Sequence, residues 1–131
     1  MTLRSVDGGE SGIAGRILVV DDDEGVRSTA AEILRGEGYD VIEAEDGQVA
    51  LDLLARYDDV TLMLLDIRMP RLDGIGVLDA LDQPPKVVLV SAFTVDGDTR
   101  SRIDAKVFRY LSKPVLPDRL LSTVAEAAAA S

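Results

Sequence analysis

Short apolar runs alternate along the chain with stretches whose apolar positions recur every three or four residues. Ile17-Leu18-Val19-Val20 suits a strand covered on both faces, and it stops at Asp21-Asp22-Asp23. Val26, Ala30, Ile33 and Leu34 then share one helical face, with Asp23 placed to cap that helix and Gly36 and Gly38 placed to end it. The same unit recurs as a strand from Tyr39 to Glu43, a helix from Asp46 to Tyr57 with Val49, Leu53 and Leu54 inward, and an almost wholly apolar strand from Thr61 to Leu65. A short helix around Ile75, Leu78 and Leu81 leads through Pro84-Pro85 into a strand from Val87 to Val90. The spacing next predicts a helix over about Asp96 to Ala105, a strand from Val107 to Leu111 and a last helix from Pro117 to Ala129, with Pro117 in its first turn. The stretch Asp104-Ala105-Lys106-Val107 has no glycine to stop the fourth helix. Five strands alternating with five helices predict one α/β domain over residues 16–131, a doubly wound parallel sheet covered on both faces. Residues 1–15, with Gly8, Gly9, Gly12 and Gly15 among Ser and acidic residues, carry neither period and read as a flexible leader.

Composition narrows the chemistry. The 131 residues include 24 Asp plus Glu against 14 Lys plus Arg, a net charge of −10, and no His or Cys. An imidazole base, a phosphohistidine, a thiol nucleophile, a disulfide and a His/Cys zinc site are therefore excluded. A net charge of −10 argues against direct nucleic-acid binding, which needs a basic surface. No apolar run approaches the roughly 20 residues that span a bilayer, and the N-terminus lacks a basic region followed by an apolar stretch. A cytoplasmic protein with no membrane association is the expectation.

In an open parallel sheet, ligands bind beyond the carboxyl ends of the strands. Those ends are polar here: Asp21 and Asp22 after the first strand, Asp66 after the third, Ser91 after the fourth, and Lys113-Pro114 after the fifth. Three carboxylates at one edge repel one another unless Lys113 and an oxygen-seeking divalent cation, Mg²⁺ above all, offset them. A one-residue shift would make the acidic pair Asp22 and Asp23, but the end of the apolar run at Val20 favours Asp21 and Asp22.

The motifs Ile17-Leu18-Val19-Val20-Asp21-Asp22, Leu64-Leu65-Asp66-Ile67-Arg68-Met69-Pro70 with Asp73-Gly74, Val90-Ser91-Ala92 and Tyr110-Leu111-Ser112-Lys113-Pro114 stand in this order. Together they resemble the receiver domain of bacterial two-component response regulators, over about Arg16 to Ala129. The resemblance implies a flavodoxin-like fold of five βα units with strand order 2-1-3-4-5 and a cis Lys113-Pro114 bond. It makes Asp66 the phosphoacceptor, with Mg²⁺ (Mn²⁺ able to substitute) held by Asp21, Asp22, Asp66 and the backbone carbonyl of Arg68. Ser91, the backbone of Ala92 and Lys113 would contact the phosphoryl group. Ser91 and Tyr110 would form the switch, and Arg68 and Phe93 would flank the phosphoryl group and slow its hydrolysis.

The expected function is that of a stand-alone receiver. It would take phosphate from a sensor histidine kinase or a His-phosphotransfer protein and signal to a downstream protein, with no enzymatic role beyond self-catalysed gain and loss of phosphate. Its signalling surface would be the face of the fourth helix, fifth strand and fifth helix. There Arg100, Arg102, Lys106, Arg109, Lys113 and Arg119 outnumber Asp104 and Asp118, suiting an acidic partner or a homodimer. One alternative is a phosphorylation-independent binding module. Another is an Mg²⁺-dependent phosphohydrolase with an aspartyl nucleophile, disfavoured because Arg68 stands where a second acid would act.

Overall fold

The apolar runs become the strands of one parallel sheet: β1 (Arg16–Val20), β2 (Asp40–Ala44), β3 (Val60–Asp66), β4 (Lys86–Ser91) and β5 (Arg109–Ser112). The computed structural model describes residues 15–92 and 94–130. Between the strands run α1 (Glu24–Gly36), α2 (Gly47–Arg56), α3 (Gly74–Ala80) and α4 (Gly97–Ile103), and α5 (Pro117–Ala129) follows β5. The strand order is β2-β1-β3-β4-β5, the 2-1-3-4-5 arrangement expected of this sequence. Four helices start on an aspartate whose carboxylate accepts a backbone N–H: Asp23 from Val26, Asp46 from Val49, Asp73 from Gly76 and Asp96 from Thr99. A good share of the acidic surplus thus serves as helix caps, and α5 substitutes Pro117 in its first turn.

Alternation along each strand divides the core in two. Ile17 and Val19 of β1, Leu62 and Leu64 of β3 and Val88 of β4 pack with Ala31 and Leu34 of α1 and with Leu120, Val124 and Ala127 of α5. Leu18, Val20, Met63, Leu65, Val87 and Leu89 face the other way, onto Ala50 of α2, Val77 and Leu78 of α3 and Ile103 of α4.

Several boundaries differ from the sequence reading. The fourth helix ends at Ile103 and tightens into a 3-10 turn over Asp104–Lys106, and β5 begins at Arg109 rather than Val107. There the Lys106 ammonium donates to the carbonyls of Leu78 and Leu81, each at 2.8 Å, so α4 is stopped by a contact to the end of α3. The strands β3 and β4 also run one residue further than expected, taking Asp66 and Ser91 into the sheet instead of leaving them in loops. Of the expected leader, residues 1–14 lie outside the described residues. Gly15 belongs to the fold: at φ 91° it lies so close to the Asp59 carbonyl that a Cβ would sit 2.3 Å from it.

Candidate functional site

The buried run of β1 carries straight into Asp21, which is only 5 % exposed. Asp21 Oδ1 accepts the N–H of Asp23 at 2.9 Å, and the backbone N–H of Asp21 donates to Ala44 at 3.2 Å. Asp22 beside it is exposed, and Asp23 is occupied as the cap of α1. The three consecutive acids therefore divide their work, and the pair facing the sheet edge is Asp21 and Asp22. Asp66 closes β3 at 4 % exposure and pairs in register with Val90, while Ser91 closes β4 at 8 %. Lys113 follows β5 across a bond from its N–H to the Ser91 carbonyl at 2.8 Å, and the Lys113-Pro114 peptide is cis.

These strand ends converge. Carboxylate oxygens of Asp21, Asp22 and Asp66 all lie within 4.8 Å of one another. The Lys113 ammonium sits 2.8 Å from Asp21 Oδ2 and 3.3 Å from Asp66 Oδ2. Burial, followed by the charge of Asp21, pushes the Asp66 carboxyl above its ordinary value, and Lys113 only partly opposes this. Burial works against the Lys113 charge, yet the hydrogen bond and charge of Asp21, then those of Asp66, hold that ammonium above its ordinary value. The site thus carries more negative charge than its lysine offsets. Three hard carboxylate oxygens at one point suit a hard divalent cation such as Mg²⁺ or Mn²⁺.

A cavity of about 740 Å³ opens on this cluster, walled by Val26, Ala30 and Ile33 of α1 on one side and Val115 and Leu120 on the other. Arg27, on the same helix, donates to the Asp21 carbonyl at 2.9 Å and pairs with Glu43 of β2 at 3.3 Å, fixing the point where the acidic pair leaves the strand. Nothing in the local pattern marks Arg27, because its partners belong to other elements. Arg68 and Ala92 are exposed beside the site in the connections that follow β3 and β4, and Phe93 lies outside the described residues.

Tyr110 is on β5 opposite Leu89, and so on the same sheet face as Ser91 two residues further along β4. Its hydroxyl donates to Asp104, and the Arg100 guanidinium lies 4.1 Å over its ring. Burial and the Asp104 hydrogen bond push the phenol up to about 12. The neighbouring basic face is less basic than its sequence suggests. Lys113 belongs to the acidic site, Arg102 pairs with Asp79 at 2.5 Å, Arg109 pairs with Glu126 at 2.9 Å, and Lys106 is spent on the end of α3.

The description "response regulator receiver domain" fits residues 17–125 of the chain. Among curated proteins, the transcriptional regulatory protein CpxR of Escherichia coli K12 is 38% identical over 111 residues, 83% of this chain and 47% of that protein. The response regulator MprA of Mycolicibacterium vanbaalenii is 41% identical over 111 residues, 82% of this chain and 47% of its own length. The chain spans about half the length of these relatives, which lend no support to the expectation of a receiver acting alone. Among solved structures, a CheY-like receiver domain from Methanospirillum hungatei superposes with a TM-score of 0.80 at 28% identity, covering 88% of this chain and 94% of that one. The receiver domain of the Francisella response regulator 1452 superposes with a TM-score of 0.79 at 27% identity, covering 88% and 98%. With its strand order, its acidic edge and these matches, the chain belongs to the response regulator receiver domain family of two-component systems.

Proposed function

We propose that the chain accepts a phosphoryl group on Asp66 from a phosphohistidine on a partner protein, either a sensor kinase or a phosphotransfer protein. One observation carries this reading: Asp66 lies within reach of both Asp21 and Asp22, with the Lys113 ammonium set between Asp21 and Asp66. An Asp66 carboxylate oxygen attacks phosphorus, the phosphorus–nitrogen bond breaks, and the imidazole leaves with its electron pair, giving an acyl phosphate. Such a transfer depends on positioning and charge neutralisation, so a chain without His or Cys can carry it. Lys113 offsets charge on the phosphoryl oxygens, and the Ser91 hydroxyl and the backbone N–H of Ala92 donate to them. Asp21, Asp22, Asp66 and the Arg68 carbonyl would hold Mg²⁺, which supplies further neutralisation of those oxygens.

The output is conformational. Ser91 draws toward the phosphoryl group, Tyr110 leaves Asp104 and turns inward, and the face of α4, β5 and α5 changes for a downstream protein or a second copy of the domain. In this reading the protein turns over no substrate of its own and works in the cytoplasm beside its phosphohistidine partner.

The test is intact-mass measurement after incubation with Mg²⁺ and acetyl phosphate. The wild-type chain is expected to gain one phosphoryl group and Asp66→Asn none. Sustained turnover of phosphate monoesters would indicate a phosphohydrolase instead, and an unmodified wild-type chain a binding module.

A further inference from the structure

Arg71, in the connection between β3 and α3, has a φ of 66°, a left-handed backbone that a side chain other than glycine adopts at a cost. Its guanidinium donates to Asp46 Oδ2 on the far side of a 25-residue separation. Asp46 is the cap of α2, its Oδ1 accepting the Val49 N–H at 2.9 Å, and it is only 1 % exposed. A carboxylate buried that far requires a partner, and Arg71 is the cation that meets it. The next residue reinforces the contact, because the Leu72 carbonyl lies against Gly47 so closely that a Cβ there would stand 2.2 Å from it. Residues 71 and 72 are thus fastened to the start of α2 at two points.

The same connection is anchored at its ends by the Ile67 N–H donating to Val90 at 3.1 Å and the Gly74 N–H donating to Ile67 at 2.8 Å. Between those anchors lies Arg68, three residues before Arg71. Local strain of the kind seen at Arg71 persists where surrounding contacts hold it, and here those contacts are the ion pair and the Gly47 stack. Loss of the pair takes away one of the contacts that hold this left-handed turn, three residues from Arg68.

We propose that Asp46 and Arg71 form a positioning pair that holds the backbone carbonyl of Arg68 beside Asp66 in ligating position for the divalent cation. The inference rests on the proposed Mg²⁺ site and adds to it two residues that do not touch the metal. Partners of this outer kind commonly change metal affinity by about 10- to 100-fold when removed.

The experiment uses two variants that break the pair differently. Asp46→Asn keeps a capping oxygen for α2 but turns an amide toward Arg71, and Arg71→Ala removes the exposed cation while keeping a Cβ at the left-handed φ, so that the strain stays and the contact holding it goes. Mg²⁺ dissociation constants are measured by titration calorimetry on the wild-type chain and both variants, with thermal midpoints taken in EDTA. Both variants are expected to bind Mg²⁺ about tenfold more weakly, while modification by acetyl phosphate at saturating Mg²⁺ stays within about twofold of wild type. Wild-type Mg²⁺ affinity in both variants, with or without a lowered midpoint, would reduce the pair to a helix cap and overturn the inference while leaving the site intact. A wild-type chain that binds no Mg²⁺ would overturn the metal site and the inference with it.

Discussion

Aspartates a residue or two apart in this chain meet very different fates, decided by what each carboxylate touches. Asp23 spends its oxygen on the N–H of Val26, Asp21 is buried against Lys113, and Asp22 stays at the mouth of the site. Asp66 is held in the site at a cost. Burial and the neighbouring Asp21 hold its carboxyl above the ordinary value of 3.8, so its charged form is disfavoured in the folded state. Because the folded state then holds the proton more tightly than the unfolded one, this penalty is present in full at neutral pH and disappears as pH falls through the raised value toward 3.8. Asp66→Asn is therefore expected to be more stable than wild type by about 1 kcal/mol at pH 7 without divalent cation, the size of ordinary stabilising substitutions. Urea midpoints measured from pH 7 down to about 3.5 should show the two proteins converge, and adding Mg²⁺ at pH 7 should narrow the gap. A gap that is absent at pH 7, or that widens on acidification, would contradict this account.

At the scale of elements, the site is placed by how closely α3 approaches the end of β3. A Cβ on Gly74 would stand 2.5 Å from the Asp66 carbonyl and 2.9 Å from the Ile67 Cα, and neither backbone atom can swing away as a side chain could. Gly74→Ala is expected to cost about 1–3 kcal/mol, the range for overpacking, and to slow modification of Asp66 by moving its main chain. Gly97→Ala on α4, where a Cβ meets nothing within 4 Å, serves as the control and should be neutral or slightly stabilising in the same urea titration. The opposite end of the sheet edge is less firmly built. There α4 is only seven residues long, and it passes through the Asp104–Lys106 turn to β5, with Tyr110 tied to Asp104 and Arg100. It buries a single residue, Ile103, where α3 of the same length buries Gly74, Val77 and Leu78, and the more lightly packed helix is the element best suited to rearrange while the sheet stays fixed.

At the scale of the whole molecule, the sheet separates two cores that, among the described residues, share no side chains. Ile17, wholly buried on the α1 and α5 side, and Ile103, 1 % exposed on the α2, α3 and α4 side, lie in different clusters. Ile17→Val and Ile103→Val should each cost about 0.5–1.5 kcal/mol, and the double variant should lose the sum to within roughly 0.5 kcal/mol. A measured coupling larger than that would mean that strain passes through the sheet. The charge of −10 is likewise unevenly used. Acids at the carboxyl edge of the sheet make the site, acids at helix starts make caps, and Asp79 and Glu126 pair with Arg102 and Arg109 on the α4, β5 and α5 face. That face therefore presents ion pairs open to exchange, each worth little by itself at an exposed surface.

Periodicity alone was enough for the sheet-and-helix alternation, because a buried parallel strand must be apolar on both faces and a covering helix must repeat its apolar residues every three to four positions. The order of the polar residues that end the strands was enough to expect a charged cluster at one sheet edge, because parallel connections bring all the carboxyl ends together. The convergence of Asp21, Asp22, Asp66 and Lys113 was legible for that reason. What local pattern could not contain was the partner of each charge. Arg71 reaches Asp46 across 25 residues, Arg102 reaches Asp79 across 23, and Lys106 reaches Leu78 across 28. Those choices depend on which helix ends meet once the chain has crossed over the sheet. They decided where α4 stops, how Arg71 is held in its left-handed turn, and how much of the basic face remains basic.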